Sequence, residues 1–258
     1  MRLRLVPIAL GLLAAFGAAA ATTNELSDAE IQGRQLAQQL LQQWPATNLT
    51  QAGVLKIRDA NKQRHEIPIK CEVRVTGTNW SSIYEATFTN RVEVLLIVHA
   101  AGRPNQYFYD PQFPGDLCFP GNASMSGHRF RIQPAGVDAM VPFAGSDFQV
   151  ADFGLEFFHW PQQKVLKKEV KRSRGCTVLE STNPDPSTNG YARVVSWIDS
   201  ESGGIVQAWA YDANNKLVKE FYPKDFKKVN GQWQVQEMEI DNDQTGSRTR
   251  LDFDLKKE

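Results

Sequence analysis

The stretch Arg248–Leu255 alternates without a break. Thr249, Leu251, Phe253 and Leu255 share one parity; Arg248, Arg250, Asp252 and Asp254 share the other. Successive strand side chains point to opposite faces, so this pattern demands a sheet with one dry and one wet face. Earlier runs extend it: Tyr191–Ile198, Ile205–Tyr211, Lys216–Val229 and Gln232–Ile240, the third split or bent around Pro223. The breaks at Asp199–Gly204, Asp212–Asn215, Asn230–Gly231 and Asp243–Gly246 carry turn residues. Asn-Gly in particular tolerates positive φ at both positions and favours a hairpin. The last third is therefore expected to be an antiparallel meander. Met238 and Ile240 should share the inward face with Thr249, Leu251, Phe253 and Leu255. Glu237, Glu239 and Asp241 should point to water with the arginines and aspartates, because a one-residue slip would invert every side chain. Trp197 and Trp209 are expected on the inward face as well.

The chain opens on a targeting pattern. Arg2 and Arg4 precede the apolar run Leu5–Phe16 and the small residues Ala18–Ala21. This is the form of a secretory signal peptide cut near Ala20 or Ala21, and it is shorter than the roughly 20 residues of a membrane span. No cysteine follows the small residues, so residues 22–258 are expected as a soluble mature chain without a lipid anchor. No tandem repeat or long linker divides that stretch, which reads as one domain.

Charge and cysteines narrow the function classes. Basic and acidic residues number 29 each, so no global field draws nucleic acid or a membrane surface. An exported chain can hold a disulfide, and three cysteines leave one thiol over. Cys71 shares parity with Ile67, Ile69, Val73 and Val75 and reads as an inert inward thiol. Cys118, in a Pro/Gly loop, and Cys176, at a strand start, are the candidate pair.

In the first half, Leu26–Trp44 reads as an amphipathic helix with Ser27 and Glu30 forming a capping box. Ile31, Leu36, Leu40 and Leu41 lie close to one stripe, and Pro45 stops the helix. Strands are expected at Gly53–Asp59, His65–Thr76, Ser82–Thr89 and Val92–His99, then turn-rich sequence from Ala100 to Gly121 and a weak strand at Met125–Gln133.

Ser146–Trp160 predicts a second helix, capped by Ser146 and Gln149 and ended by Pro161. Gln149, Asp152, Glu156 and His159 make one narrow polar stripe. Phe148, Val150, Ala151, Phe153, Leu155, Phe157, Phe158 and Trp160 cover nearly all the rest. So apolar a helix is either ordinary core packed on the sheet or a lid over a cavity for hydrocarbon chains. Gly154 in its middle costs about 1 kcal/mol against alanine and implies close packing or a bend. The basic run Gln163–Arg174 reads as a solvated strand face or as a patch for anionic headgroups or a partner's acidic surface.

Catalytic and cofactor signatures are missing from the sequence. His65, His99, His128 and His159 have no neighbours at metal-ligand spacing. There is no Gly-x-Ser-x-Gly elbow and no Gly-rich phosphate loop. Asp152 and Glu156 share a helix face, a spacing common on solvated faces. No enzyme activity, metal or cofactor is expected.

An ordered series of short segments carries a resemblance. It comprises Phe143–Phe148, Phe157–Pro161, Cys176–Glu180, Tyr191–Asp199, Ala210–Asp212, Lys216–Lys219, Gly231–Trp233 and Thr245–Thr249. In this order, over Pro142–Leu255, the chain resembles the LolA-like outer-membrane lipoprotein-sorting family of Gram-negative envelopes. The resemblance implies an α+β fold, mainly β: a curved, incomplete antiparallel barrel whose concave face is covered by helices. It implies a non-enzymatic periplasmic carrier, a monomer, whose apolar interior receives acyl chains of lipoproteins or other lipidic cargo. An envelope membrane protein is an expected partner and nucleic acid is not. Phe148, Phe153, Leu155, Phe157, Phe158, Trp197, Trp209, Met238, Ile240, Leu251 and Phe253 are the candidates for the cavity and its lid. The alternative is an envelope interaction domain whose curved sheet is filled by its own side chains. Shape separates the two: a carrier needs a cavity of roughly 300 Å³ or more.

Overall fold

The computed structural model describes residues 26–113, 131–133, 139–186, 190–229 and 232–255. The expected leader at residues 1–21, Cys118, residues 125–130 of the expected weak strand and the expected Asn230–Gly231 turn lie outside the described residues.

Among the described residues, thirteen antiparallel strands form one sheet. The first meander holds β1 (Leu49–Arg58), β2 (Arg64–Thr76), β3 (Asn79–Thr87), β4 (Val92–Ala100), β5 (Gln106–Phe113) and β6 (Arg131–Gln133). The second holds β7 (Gln162–Lys171), β8 (Arg174–Thr182), β9 (Arg193–Asp199), β10 (Ile205–Tyr211), β11 (Leu217–Val229), β12 (Gln232–Asn242) and β13 (Arg248–Phe253). β1 and β13 join the two, with Leu55 opposite Leu251 and Gly53 opposite Phe253. The order is β6-β5-β4-β3-β2-β1-β13-β12-β11-β10-β9-β8-β7, a curved sheet that does not close. Its two edges, β6 and β7, are consecutive in sequence. The connection between them must therefore cross from one edge of the arc to the other, and residues 139–161 lie over the concave face.

The final hairpin has the expected register. Met238 faces Leu251 and Ile240 faces Thr249, and Ile240, Leu251, Phe253 and Leu255 are buried together on the concave face. One member of the charged parity departs from expectation. Glu239 is fully buried, accepting hydrogen bonds from Arg250 Nη2 (2.7 Å) and Tyr222 Oη (2.5 Å), with Lys224 Nζ at 3.4 Å. The strands β11, β12 and β13 thus close over a carboxylate that its partners neutralise. β11 runs as one strand of 13 residues, and the irregularity expected at Pro223 is absorbed by bulges from Pro223 to Phe226. β5 lies inside the stretch expected to be turns; its Tyr107, Tyr109 and Asp110 pair with β4, and Pro111 falls near its end.

Helix α1 (Asp28–Leu41) begins at the Ser27–Glu30 capping box. Ile31 is exposed, however, and the helix instead buries Gly33 and Ala37. A Cβ on Gly33 would sit 2.5 Å from the Lys164 nitrogen, so the missing side chain lets the helix lie directly on the β7 backbone. Leu36, Leu40 and Leu41 pack at the margin of a core formed by Phe157, Phe158, Trp160, Leu179, Val194 and Ile198.

The second expected helix is broken. Only Val150–Phe153 is α-helical (α2), followed by a 3-10 turn at Glu156–His159. Leu155 between them takes a left-handed conformation with φ 49°. The cap also shifts: Gln149 is the N-cap residue, its N–H donating to Asp152 Oδ2 (2.7 Å), while Ser146 Oγ accepts from Phe148 N–H (3.1 Å). Helical covering of the concave face is accordingly partial.

Candidate functional site

Polar side chains hold the crossing segment in place. Ala144 N–H donates to the buried Glu93 of β4 (3.0 Å). Asp147 accepts from Ser247 Oγ (2.6 Å) and Thr249 Oγ1 (2.8 Å) at the start of β13. Asn105 Nδ2 donates to the Gly154 carbonyl (2.7 Å), and Tyr107 Oη of β5 donates to Glu156 Oε2 (2.8 Å). Burial pushes the Glu156 carboxyl up to about 7. The polar stripe read as solvated is thus partly an inward anchor: Glu156 is buried, and Asp152 is half-buried and faces a cavity.

That cavity lies between the crossing segment and the second meander and measures about 340 Å³. Its roof is Phe148, Phe153, Leu155, Phe157 and Phe158; its walls include Val194, Ala208, Ala210, Phe221, Met238 and Ile240, with Tyr84 from β3 and Leu40 from α1. The space has a local origin. β10 presents its small residues Ala208 and Ala210 inward, and its large ones, Trp209 and Tyr211, pack outward. Where neighbouring strands place Val194 and Phe221, β10 leaves volume that no side chain fills. Leu155 and Phe226, both lining residues, are also exposed and mark the rim.

Seven of the expected residues line the cavity: Phe148, Phe153, Leu155, Phe157, Phe158, Met238 and Ile240. Phe153 stacks edge-on against Phe143 at 5.2 Å and tilts against Tyr84 at 4.5 Å. Leu251 and Phe253 are on the concave face but not in the cavity wall. They pack with Leu55, Ile69 and Ile97, where the first meander is filled by its own side chains.

Trp197 and Trp209 correct the expectation outright. They face the convex side, packed edge to face at 4.8 Å with Cys176, Val178 and Val206. Trp197 Nε1 donates to Glu169 Oε1 (2.6 Å), and Lys171 Nζ lies 4.7 and 5.0 Å from the two rings. The inversion in β10 has a cause: a bulge between Ile205 and Gln207 shifts parity, so Ile205 and Trp209 end on opposite faces. In β9 both parities are apolar, and alternation could not choose between them. The basic run in β7 therefore supplies Lys171 as a cover for the two tryptophans.

Two charged residues stand in the cavity wall: Lys219, which escaped the sequence reading, and Asp152, which was read as solvated. Lys219 is buried, its ammonium donating to the Asp147 carbonyl. Asp152 lies opposite, accepting from Tyr191 Oη (3.2 Å). Burial pushes the Lys219 ammonium down against the pull of Asp152 and Asp147, and burial raises Asp152 against the pull of Lys219. A signal existed: Lys219 shares parity with Phe221 in a strand whose other inward residues are apolar.

Cys71 is buried, with its thiol pushed up to about 12 by burial. Cys176 is a free buried thiol, and its expected partner Cys118 is outside the described residues. Among the described residues no group of three or more His, Cys, Asp or Glu side chains could hold a metal ion. No helix among them is long and apolar enough to cross a membrane.

Comparison with known proteins agrees with this architecture. A DUF1329 family protein from Desulfovibrio piger superposes with a TM-score of 0.67 at 18% identity, covering 88% of this chain and 92% of the other. An outer membrane lipoprotein-sorting protein domain from Vibrio parahaemolyticus gives 0.67 at 17% identity, with the same coverages. A LolA superfamily protein from Nitrosomonas europaea gives 0.57 at 13% identity, covering 89% and 93%. No curated protein matches the sequence. A family model described only as "-like: Uncharacterized protein" matches residues 128–256, half of the chain. The chain thus belongs to the family that this model describes, and its fold is that of the three solved structures.

Proposed function

We propose that this protein is a non-enzymatic periplasmic carrier or binding protein for lipoproteins or other acylated, lipidic cargo. The observation that supports this reading is the apolar cavity of about 340 Å³ beneath Phe153, Phe157 and Phe158. Each buried methylene contributes about 0.8 kcal/mol, so one hydrocarbon chain supplies ample affinity. The volume is near the low end of the roughly 300–1,000 Å³ typical of small-molecule sites, which suits one chain rather than several. The lipoprotein-sorting description of the Vibrio parahaemolyticus domain supports the cargo class. The leader sequence supports export, and an envelope membrane protein is the partner that would load or unload a monomeric carrier.

The first meander, filled by its own side chains and by Leu251 and Phe253 of β13, favours a second reading: an interaction domain without cargo. Native mass spectrometry of protein purified from cells separates the two. A carrier shows a co-purifying lipid adduct that disappears on delipidation. Protein that carries no adduct and takes up no alkyl chain when offered one is the interaction domain.

A further inference from the structure

Besides Gln43, the wall of the cavity is apolar except at one corner, where Lys219, Asp152 and Tyr191 meet it. Lys219 comes from β11 and Asp152 from α2. Lys219 spends one hydrogen on the Asp147 carbonyl, and Asp152 accepts from Tyr191 Oη and Gln149 N–H. No direct ion pair between Lys219 and Asp152 is present among the described residues. The corner therefore presents a buried ammonium, which only donates, and a half-buried carboxylate, which only accepts, on one cavity wall.

A pure hydrocarbon satisfies neither group. A carboxylate or phosphate head would suit Lys219 but confront Asp152 and add an unbalanced negative charge to an apolar space, which is costly. An ammonium head makes the opposite mismatch. A hydroxyl or amide accepts from Lys219 and donates to Asp152 with no added charge. Resting on the carrier reading above, we infer that the cavity selects a neutral amphiphile, one hydrocarbon chain bearing a hydroxyl or amide head seated between Lys219 and Asp152.

Displacement of Nile red from the full-length mature protein at pH 7 tests this, using monolaurin, laurate and dodecane, which share one chain length. Monolaurin should act at a concentration at least about tenfold below the other two, the equivalent of one well-made hydrogen bond. K219M and D152N should each weaken monolaurin more than dodecane. The wild-type ranking stands on its own if either variant fails to fold. Laurate binding best, with K219M abolishing its advantage, would overturn the inference in favour of an anion site. Equal displacement by all three would overturn it and leave the carrier reading intact. No displacement by any chain would remove both.

Discussion

Tyr107 Oη donates to Glu156 Oε2 at 2.8 Å and so ties the fifth strand to the 3-10 turn that roofs the cavity. The contact depends on a missing side chain: a Cβ on Gly154 would stand 2.1 Å from that hydroxyl. Glycine here serves close packing and the bend together.

The burial of Glu156, which outweighs the opposing pull of this bond, predicts a pH effect. Burial pushes Glu156 up to about 7 from 4.5. The folded state then holds a proton that the unfolded state has released, so stability falls as pH rises from about 4.5 to about 7. His99 works the other way: burial takes it down to about 4 from 6.5, adding stability as pH rises across that window. Comparing the wild type with Glu156→Gln in urea titrations at pH 5 and pH 8 isolates the first effect. The variant should be the more stable at pH 8, by up to about 3 kcal/mol, and similar at pH 5. An unchanged difference between the two pH values would place the Glu156 proton elsewhere.

Glu239 should show the opposite sign. Burial raises its carboxyl, but hydrogen bonds from Tyr222 and Arg250 and the charges of Arg248 and Lys224 outweigh this and hold it below the usual range. Its stabilisation is present above about pH 4.5 and is lost as pH falls through the depressed value. Glu239→Gln should be less stable than the wild type at neutral pH and should narrow that gap on acidification. A parallel acid profile would count against the network.

Gly33→Ala separates docking from helix propensity. In a free helix the substitution would stabilise by about 1 kcal/mol. Here its methyl meets the β7 backbone, so a net loss of about 1–3 kcal/mol is expected from chemical denaturation. A gain would mean that α1 does not rest on that strand.

Two phenylalanines of the cavity should behave differently. Phe226, at the rim, is 46% exposed. Phe226→Ser should change stability by less than about 0.5 kcal/mol while weakening alkyl-chain uptake. Phe158→Asp, in the roof, should cost more than about 3 kcal/mol by burying an unpaired charge. If Phe226→Ser leaves uptake untouched, chains do not enter past that residue.

The alternation of Arg248–Leu255 and the Ser27–Glu30 box were sufficient to place the final hairpin and α1, because each is decided by neighbours in sequence. The crossing segment was not legible in the same way. Gln149, Asp152 and Glu156 have helical spacing, yet Asp152 and Glu156 find their partners in Tyr191, just before β9, and Tyr107 of β5, and only the fold reveals that these two point inward. Trp209 was misplaced by a bulge, which leaves no mark in an alternation pattern. The cavity itself arises from what Ala208 and Ala210 lack, and small residues in a strand carry no signal of the space beside them.

The linear strand order gives the crossing segment a further mechanical meaning. In a closed barrel, strand number and stagger set the diameter. Here the ladder never returns to its start, so nothing in its hydrogen bonding fixes how far the arc opens. Residues 139–161 span it like a bowstring, fastened at Glu93, Thr249 and Tyr107. The room inside the bow therefore depends on where that string is fastened as well as on the strands themselves.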